Sequence, residues 1–314
     1  MVDNGTRAGT SPQWQPEHVV DVVAAAALVG AQFPELRDAP IEALATGWDN
    51  TVYLVGGDWV FRFPRRTIAV PGVQREIAVL PGLAPRLPLS VPVPELIGRP
   101  ARDYPWPFWG ARLVHGRELA ETGLPDAERT PAAAGVGEFL RALHRPELAT
   151  ELRAALPYDP MRRGDPGVRA PKARERLAGL AARGVWEPDP AIERLLADGE
   201  RVGPPTGDPV VSHGDLHVRH LLLDDEARPA GVIDWGDLCL AGRAVDLSLA
   251  YMGFAGAARA ALLSSYGPIS PEDVARGRVL AVDLCATLAE YAAATGRRQL
   301  LTEAVSGLRR VPGS

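Results

Sequence analysis

The chain has 314 residues, enough for one large domain or two smaller ones, and 46% hydrophobic with 23% charged residues is ordinary for a globular protein. A net charge of -5 with no basic block gives no support for a nucleic-acid-binding surface. Two cysteines, Cys239 and Cys285, are too few for a disulfide framework and read as reduced core residues of a cytoplasmic protein. No apolar run has membrane-spanning length. The stretch 19–30 is short and lacks a basic leader, so it reads as a core helix. Residues 1–16 are polar and expected to be disordered.

In chain order, residues 17–32 predict a helix. Runs 41–45 and 51–55 predict strands, and Gly56-Gly57-Asp58 is a hairpin turn before a strand over 59–63, closed by Pro64. Residues 73–80 predict a helix carrying Arg75 and Glu76, and 91–97 and 108–114 predict further strands. After Gly116 the pattern changes. Helices are expected over 131–144, 172–182, 190–199, 244–253, 255–266 and 271–308, with a Pro/Gly/Arg-rich loop at 158–167. The fold class is therefore α+β, with a β-rich portion over 1–114 and a larger, mainly helical portion over 115–314.

The stretch 210–249 carries the chemistry. Asp215 lies in a His-Gly-Asp turn after an apolar strand, and Asp234 closes a second apolar run in Val-Ile-Asp-Trp. Runs 221–223 and 231–233 flank a polar turn and would pair as a hairpin with both aspartates on one rim. Phosphoryl transfer needs an acceptor hydroxyl held in line, a carboxylate to take its proton, and a divalent metal on the phosphates. Asp215 suits the base and Asp234 suits direct Mg²⁺ coordination.

His213-Gly214-Asp215-Leu216-His217, Leu221-Leu222-Leu223, Ile233-Asp234-Trp235-Gly236-Asp237 and Val245-Asp246-Leu247 resemble the aminoglycoside/macrolide phosphotransferase family. Gly47-Trp48-Asp49-Asn50, residues 59–65, Arg75-Glu76 and residues 139–144 resemble further parts of it. The resemblance implies a bilobal, protein-kinase-like fold and transfer of the terminal phosphoryl of ATP or GTP to a hydroxyl. It implies Asp215 as catalytic base, Asp234 as metal ligand, and Asp246 as a structural acceptor for the catalytic-loop backbone. It places Arg62 where protein kinases carry the phosphate-binding lysine, with Glu76 as its helix partner, and Leu113 and Val114 as backbone partners of the nucleotide base.

Two positions depart from the common pattern. Lys172 is the single lysine, so the phosphate-binding cation has to be an arginine: Arg62, or Arg65 or Arg66 in a shifted register. His220 stands where an asparagine usually ligates metal, and imidazole is a softer ligand than an amide oxygen. Macrolide phosphotransferases look similar at both positions. The expected acceptor is thus macrolide-like, with an aminoglycoside or another hydroxylated metabolite as the alternative. The stretch 150–208 interleaves acids with arginines, which also points away from a strongly cationic acceptor.

Other readings stand beside this one. His213, Asp215, His217 and His220 form a ligand-rich cluster that a metal-dependent hydrolase could use, although a helix would be needed to join His213 and His217 and Gly214-Asp215 argues for a loop. A nucleotide-binding pseudokinase is a third, opposed by two intact aspartates. His213 reads as a ring that holds the loop, Asp237 as a loop or cap residue, and Trp48, Trp106, Trp109 and Trp235 as packing residues. The expected partners are a small hydroxylated substrate and a nucleoside triphosphate, with no nucleic acid or membrane, in a monomer or homodimer.

Overall fold

The structure is a computed structural model that describes residues 16–47 and 49–313. The expectations for residues 1–15 and for Trp48 lie outside the described residues. Two compact units are present. One runs up to Ile77 and includes Val93–Leu113; the other comprises Ala78–Pro92 and the chain from Val114 onward.

The first unit begins with α1 (Val22–Gln32), followed by β1 (Ile41–Thr46), β2 (Asn50–Val55) and β3 (Trp59–Pro64). Helix α2 (Val70–Leu83) follows, its residues up to Ile77 in this unit, and then β4 (Leu96–Gly98) and β5 (Phe108–Arg112). Among the described residues these strands form one antiparallel sheet in the order β1-β2-β3-β5-β4. On β2, Thr51, Tyr53 and Val55 alternate inward, as a sheet covered on one face requires. Phe61, Phe63 and Phe108 form the centre of the core, with the Phe63 and Phe108 rings 4.7 Å apart.

Three expectations need correction here. The helix over 17–32 starts only at Val22, because the Asp21 carboxylate caps it by accepting the Ala24 N–H at 2.8 Å. Glu17 is instead used on Thr67, whose hydroxyl it accepts at 2.6 Å. The 19–30 stretch is not a core helix throughout: Ala25 and Val29 are buried, whereas Val19, Val22 and Val23 face out. The strand over 91–97 shrinks to Leu96–Gly98, since Pro92 and Pro94 have no N–H for a ladder.

The second unit contains β6 (Arg117–Glu118), α3 (Leu119–Thr122), α4 (Thr130–Leu143), α5 (Pro146–Leu152), α6 (Pro166–Ala182) and α7 (Pro190–Val202). Then come β7 (Val210–Ser212), β8 (Leu221–Leu223), β9 (Pro229–Val232), β10 (Cys239–Ala241), α8 (Ala244–Gly253), α9 (Gly256–Tyr266), α10 (Pro271–Thr295) and α11 (Arg298–Arg310). The apolar face of α4 packs on α9, and α10 packs on α6, α7, α8 and α11. The single helix expected over 271–308 is two, because Gly296 takes a left-handed φ of 71° and Arg297 N–H returns to the Ala292 carbonyl at 3.0 Å. Helix α6 starts earlier than expected, where the Asp165 carboxylate caps it. The hairpin of the 221–233 region is present, Leu221 opposite Val232, with β6 added on the other side of β8. Cys239 and Cys285 are buried, and burial pushes both thiols well up in pKa, which suits inert core residues. No helix among the described residues is long and apolar enough to cross a membrane.

Candidate active site

The strands β7 and β10 are short, buried and paired antiparallel, Ser212 opposite Cys239. That pairing delivers the His213-Gly214-Asp215 turn at the end of β7 directly beside Asp237. Gly214 has φ +86°, and a Cβ there would lie 2.2 Å from the Asp237 carbonyl oxygen, so only glycine fits.

The turn is tied down from α8. The buried Asp246 carboxylate accepts the His213 N–H at 2.9 Å and the Gly214 N–H at 3.1 Å. It also takes a hydrogen bond from His144 Nε2 at 3.1 Å, and His144 Nδ1 in turn meets the Tyr266 hydroxyl at 3.0 Å. Burial alone would raise the Asp246 pKa, but the hydrogen bond from His144 and the nearby imidazoles outweigh it and hold the carboxyl below its ordinary value. A buried charge in this position is tolerable only because its oxygens are so fully satisfied.

The tautomers of three histidines follow from their neighbours. His213 accepts the Asp215 N–H on Nδ1 at 3.2 Å and donates from Nε2 to the Ile233 carbonyl at 3.0 Å. Both nitrogens are used, and burial pushes its pKa down to about 4, so the neutral ring cross-links the two loops. His217 accepts the Arg219 N–H on Nδ1 at 3.3 Å, which leaves Nε2 carrying the proton, 3.8 Å from Asp215 Oδ2. His220 is different. Its Nδ1 donates to the Asp215 carbonyl at 2.8 Å, and its Nε2 faces Asp234 Oδ2 at 3.4 Å. Burial lowers the His220 pKa, but the hydrogen bond and charge of Asp234 and the charge of Asp215 reverse this and raise it overall.

Asp234 lies just beyond β9 with φ +66°, a left-handed conformation that costs energy for a residue with a Cβ and recurs at functional sites. Beside it the Trp235 indole donates to the Val232 carbonyl at 2.9 Å and is fully buried, as expected for a packing residue. Asp215, His220 and Asp234 are thus brought together. Asp215, His217 and His220 also place ligand atoms within 4.8 Å of one another, without a helix, and His213 is not part of that group.

The donor set suits a divalent ion. His220 has its Nδ1–H fixed on a carbonyl, so an ion that displaced the proton between Nε2 and Asp234 would meet the Nε2 lone pair and the Asp234 carboxylate side by side. His217 is set in the wrong tautomer for a ligand at Nε2.

Sequence reasoning missed Arg163. It sits in the 158–167 loop, and its Nη2 lies 2.9 Å from both Asp215 Oδ1 and Asp237 Oδ2. Burial pushes the Asp215 pKa up to about 6; the Arg163 guanidinium works against this and Asp237 works with it. The arginine-rich composition of the loop was visible, but no spacing links Arg163 to Asp215. Asp237 is thereby an ion-pair partner as well as a loop residue.

In the first unit, Arg62 on β3 and Glu76 on α2 form a buried ion pair at 3.0 Å. The Trp109 indole donates to Glu76 at 3.2 Å, and the Arg62 guanidinium lies 5.5 Å from the Trp109 ring. Arg65 donates to the Gly47 carbonyl at 2.6 Å and Arg66 pairs with Asp49, so neither occupies the position of Arg62 beside Glu76. Leu113 spends its N–H on the Asp58 carbonyl at 2.8 Å, which leaves its carbonyl as the group it can offer. Val114 opens the second unit, packed over Gly231.

A family model described as APH, the phosphotransferase enzyme family, matches residues 40–280. The chain belongs to the phosphotransferase enzyme family. An aminoglycoside 3'-phosphotransferase of Streptomyces fradiae is 37% identical over 170 residues, which is 51% of this chain and 58% of that protein. The match therefore spans less than two thirds of that relative. Among solved structures, the GDP complex of aminoglycoside 2'-phosphotransferase-IIIa is similar with a TM-score of 0.66 at 20% identity, over 92% of this chain and 98% of that one. The apoenzyme of macrolide 2'-phosphotransferase MphH from Brachybacterium faecium gives 0.58 at 24%, over 90% and 97%. At such identities the likeness establishes the fold, and the expected α+β, protein-kinase-like phosphotransferase plan is met.

Proposed function

We propose that this family member is an antibiotic phosphotransferase-like kinase, moving the terminal phosphoryl of ATP or GTP onto a hydroxyl of a small molecule. One observation carries the reading most: His220 bridges the two aspartates, one ring nitrogen on the Asp215 backbone and the other against the Asp234 carboxylate. Asp215 Oδ atoms accept the proton of the acceptor hydroxyl as its oxygen attacks the terminal phosphorus and the nucleoside diphosphate leaves. Asp234 and His220 would hold Mg²⁺ or a similar ion, which would neutralise phosphate charge when bound. Asp246 and Gly214 keep the Asp215 backbone in place. Arg62, held by Glu76, is the candidate phosphate contact, and the Leu113 carbonyl and Val114 backbone are candidates for the nucleotide base.

A macrolide-like acceptor is the preferred reading. Arg62 and His220 stand where macrolide phosphotransferases look similar, and Arg163 covers carboxylates that a polycationic acceptor would use. The aminoglycoside alternative is favoured by the Streptomyces fradiae relative. The hydrolase reading is weakened because both ring nitrogens of His213 are spent in hydrogen bonds, and His217 accepts on Nδ1, which leaves its proton on Nε2. The test is a nucleotide-consumption screen of macrolides, aminoglycosides and other hydroxylated metabolites with ATP and with GTP. Acceptor-dependent consumption is expected. Nucleotide binding without transfer to any acceptor points to a pseudokinase, and tightly bound zinc to the hydrolase.

A further inference from the structure

The two oxygens of the Asp215 carboxylate meet different neighbours. Oδ1 lies 2.9 Å from the Arg163 guanidinium, which Asp237 shares at the same distance. Oδ2 faces His217 Nε2 at 3.8 Å. That gap is too long for a direct hydrogen bond, but one oxygen atom fits across it, about 2.8 Å from each side with roughly a right angle between them. The His217 ring is held from three sides. Its Nδ1 accepts the Arg219 N–H at 3.3 Å, and its face stacks on His220 with centroids 3.8 Å apart and planes at 30°. Its own carbonyl accepts the His220 N–H at 2.9 Å. With Nδ1 used as an acceptor, Nε2 carries a proton. The ring is buried, so this N–H needs an acceptor, and at 3.8 Å the Asp215 carboxylate does not supply one.

We infer that His217 is an acceptor-binding residue: its Nε2–H and Asp215 Oδ2 together hold the reacting hydroxyl. This rests on the phosphotransferase reading of Asp215. A hydroxyl oxygen has four directions to fill. Its carbon takes one, its proton points to Oδ2, and one lone pair accepts from Nε2–H, which leaves the second lone pair to attack phosphorus. The bond from that oxygen to the terminal phosphorus forms as the bond to the nucleoside diphosphate breaks. The proton passes to Oδ2, and the hydrogen bond from His217 stays in place. Asp215 alone would let the hydroxyl turn about the proton it donates; the second contact fixes which lone pair faces phosphorus. The arrangement makes no demand on the charge of the acceptor, so it serves macrolide-like and aminoglycoside acceptors alike.

Asn and Gln separate the roles of the two ring nitrogens. His217→Asn keeps an acceptor for the Arg219 N–H and loses the distal donor, whereas His217→Gln reaches far enough to restore that donor. Crystals of the parent grown without acceptor are expected to hold a water within about 3.2 Å of both Nε2 and Oδ2. Turnover is measured with erythromycin or kanamycin, whichever the parent phosphorylates. In His217→Asn, kcat/KM for that acceptor is expected to fall by about tenfold or more, while the nucleotide KM and the Mg²⁺ dependence stay parental. His217→Gln recovers most of the loss. A ring that serves only to support His220 would shift the Mg²⁺ dependence and gain nothing from Gln, and that result overturns the inference. So does parental kcat/KM in His217→Asn, or a ring that closes onto Oδ2 with no oxygen between. If the parent consumes nucleotide with neither compound, the kinase reading has failed on these acceptors. The crystallographic oxygen then decides alone: a bridging water sustains a hydroxyl site at His217, and its absence removes it.

Discussion

His220 and Asp234 face each other across 3.4 Å, imidazole Nε2 against carboxylate Oδ2. If this pair is the ion site proposed above, an imidazole in place of an amide oxygen should make it accept softer divalent ions more readily. His220→Asn is expected to lower Mn²⁺-supported turnover relative to Mg²⁺-supported turnover by about threefold or more. Metal titrations of parent and variant read this directly, and superimposable Mg²⁺ and Mn²⁺ curves would remove His220 from the metal site.

Asp215→Asn removes the proposed proton acceptor and keeps the shape of the side chain. Turnover should fall by about 10²–10⁴ while nucleotide affinity stays near that of the parent. Single-turnover kinetics and a nucleotide-binding titration separate the two effects. Near-parental turnover would show that another group takes the proton.

Gly214→Ala puts a Cβ into the Asp237 carbonyl, at 2.2 Å, on a backbone with φ +86°. A loss of about 2 kcal/mol or more is expected, together with a loss of turnover as Asp215 is displaced. Gly57→Ala is the control: its φ is +79° but nothing lies within 4 Å of the added atom. It should cost about 1 kcal/mol and spare turnover. Urea unfolding and kcat measured on both variants give the comparison; equal effects would mean that φ alone, and not the contact with Asp237, matters.

His213 titrates at about 4 in the folded chain, below its ordinary 6.5, because burial disfavours the charged ring. The unfolded chain takes up this proton first as pH falls, so the stabilising contribution is complete above 6.5 and is lost on the way down to about 4. The loss amounts to roughly 3 kcal/mol at most. His213→Gln, which can still donate to the Ile233 carbonyl, should flatten part of the acid limb, with His217 supplying a remaining slope of the same sign. Urea midpoints across this range check it, and identical slopes in parent and variant would refute the assignment.

The pieces legible in the sequence were those set by local pattern. The hairpin turn at Gly56-Gly57-Asp58 and the apolar alternation of β2 are local, and so is the helix over 244–253, which appears as α8 with those bounds. Boundaries failed where a distant or capping group intervened, as when Asp21 delayed α1 or Gly296 divided the last helical stretch. The prolines at 92 and 94 were local signals that should have shortened the fourth strand.

For the site, the sequence alone determined which residues could do chemistry: two aspartates at strand ends, an imidazole where an amide is usual, and an arginine in place of lysine. Spacing along the chain sufficed because the apolar runs that carry them are short, buried and forced to pair nearby. Only the tertiary structure decided which nitrogen of each histidine is available, since that depends on the carbonyl or N–H each ring meets. It alone brought Arg163 to Asp215 and Asp237, because the loop that carries the arginine reaches β10 through the Asp159 N–H, a contact between segments distant in sequence that no local pattern encodes.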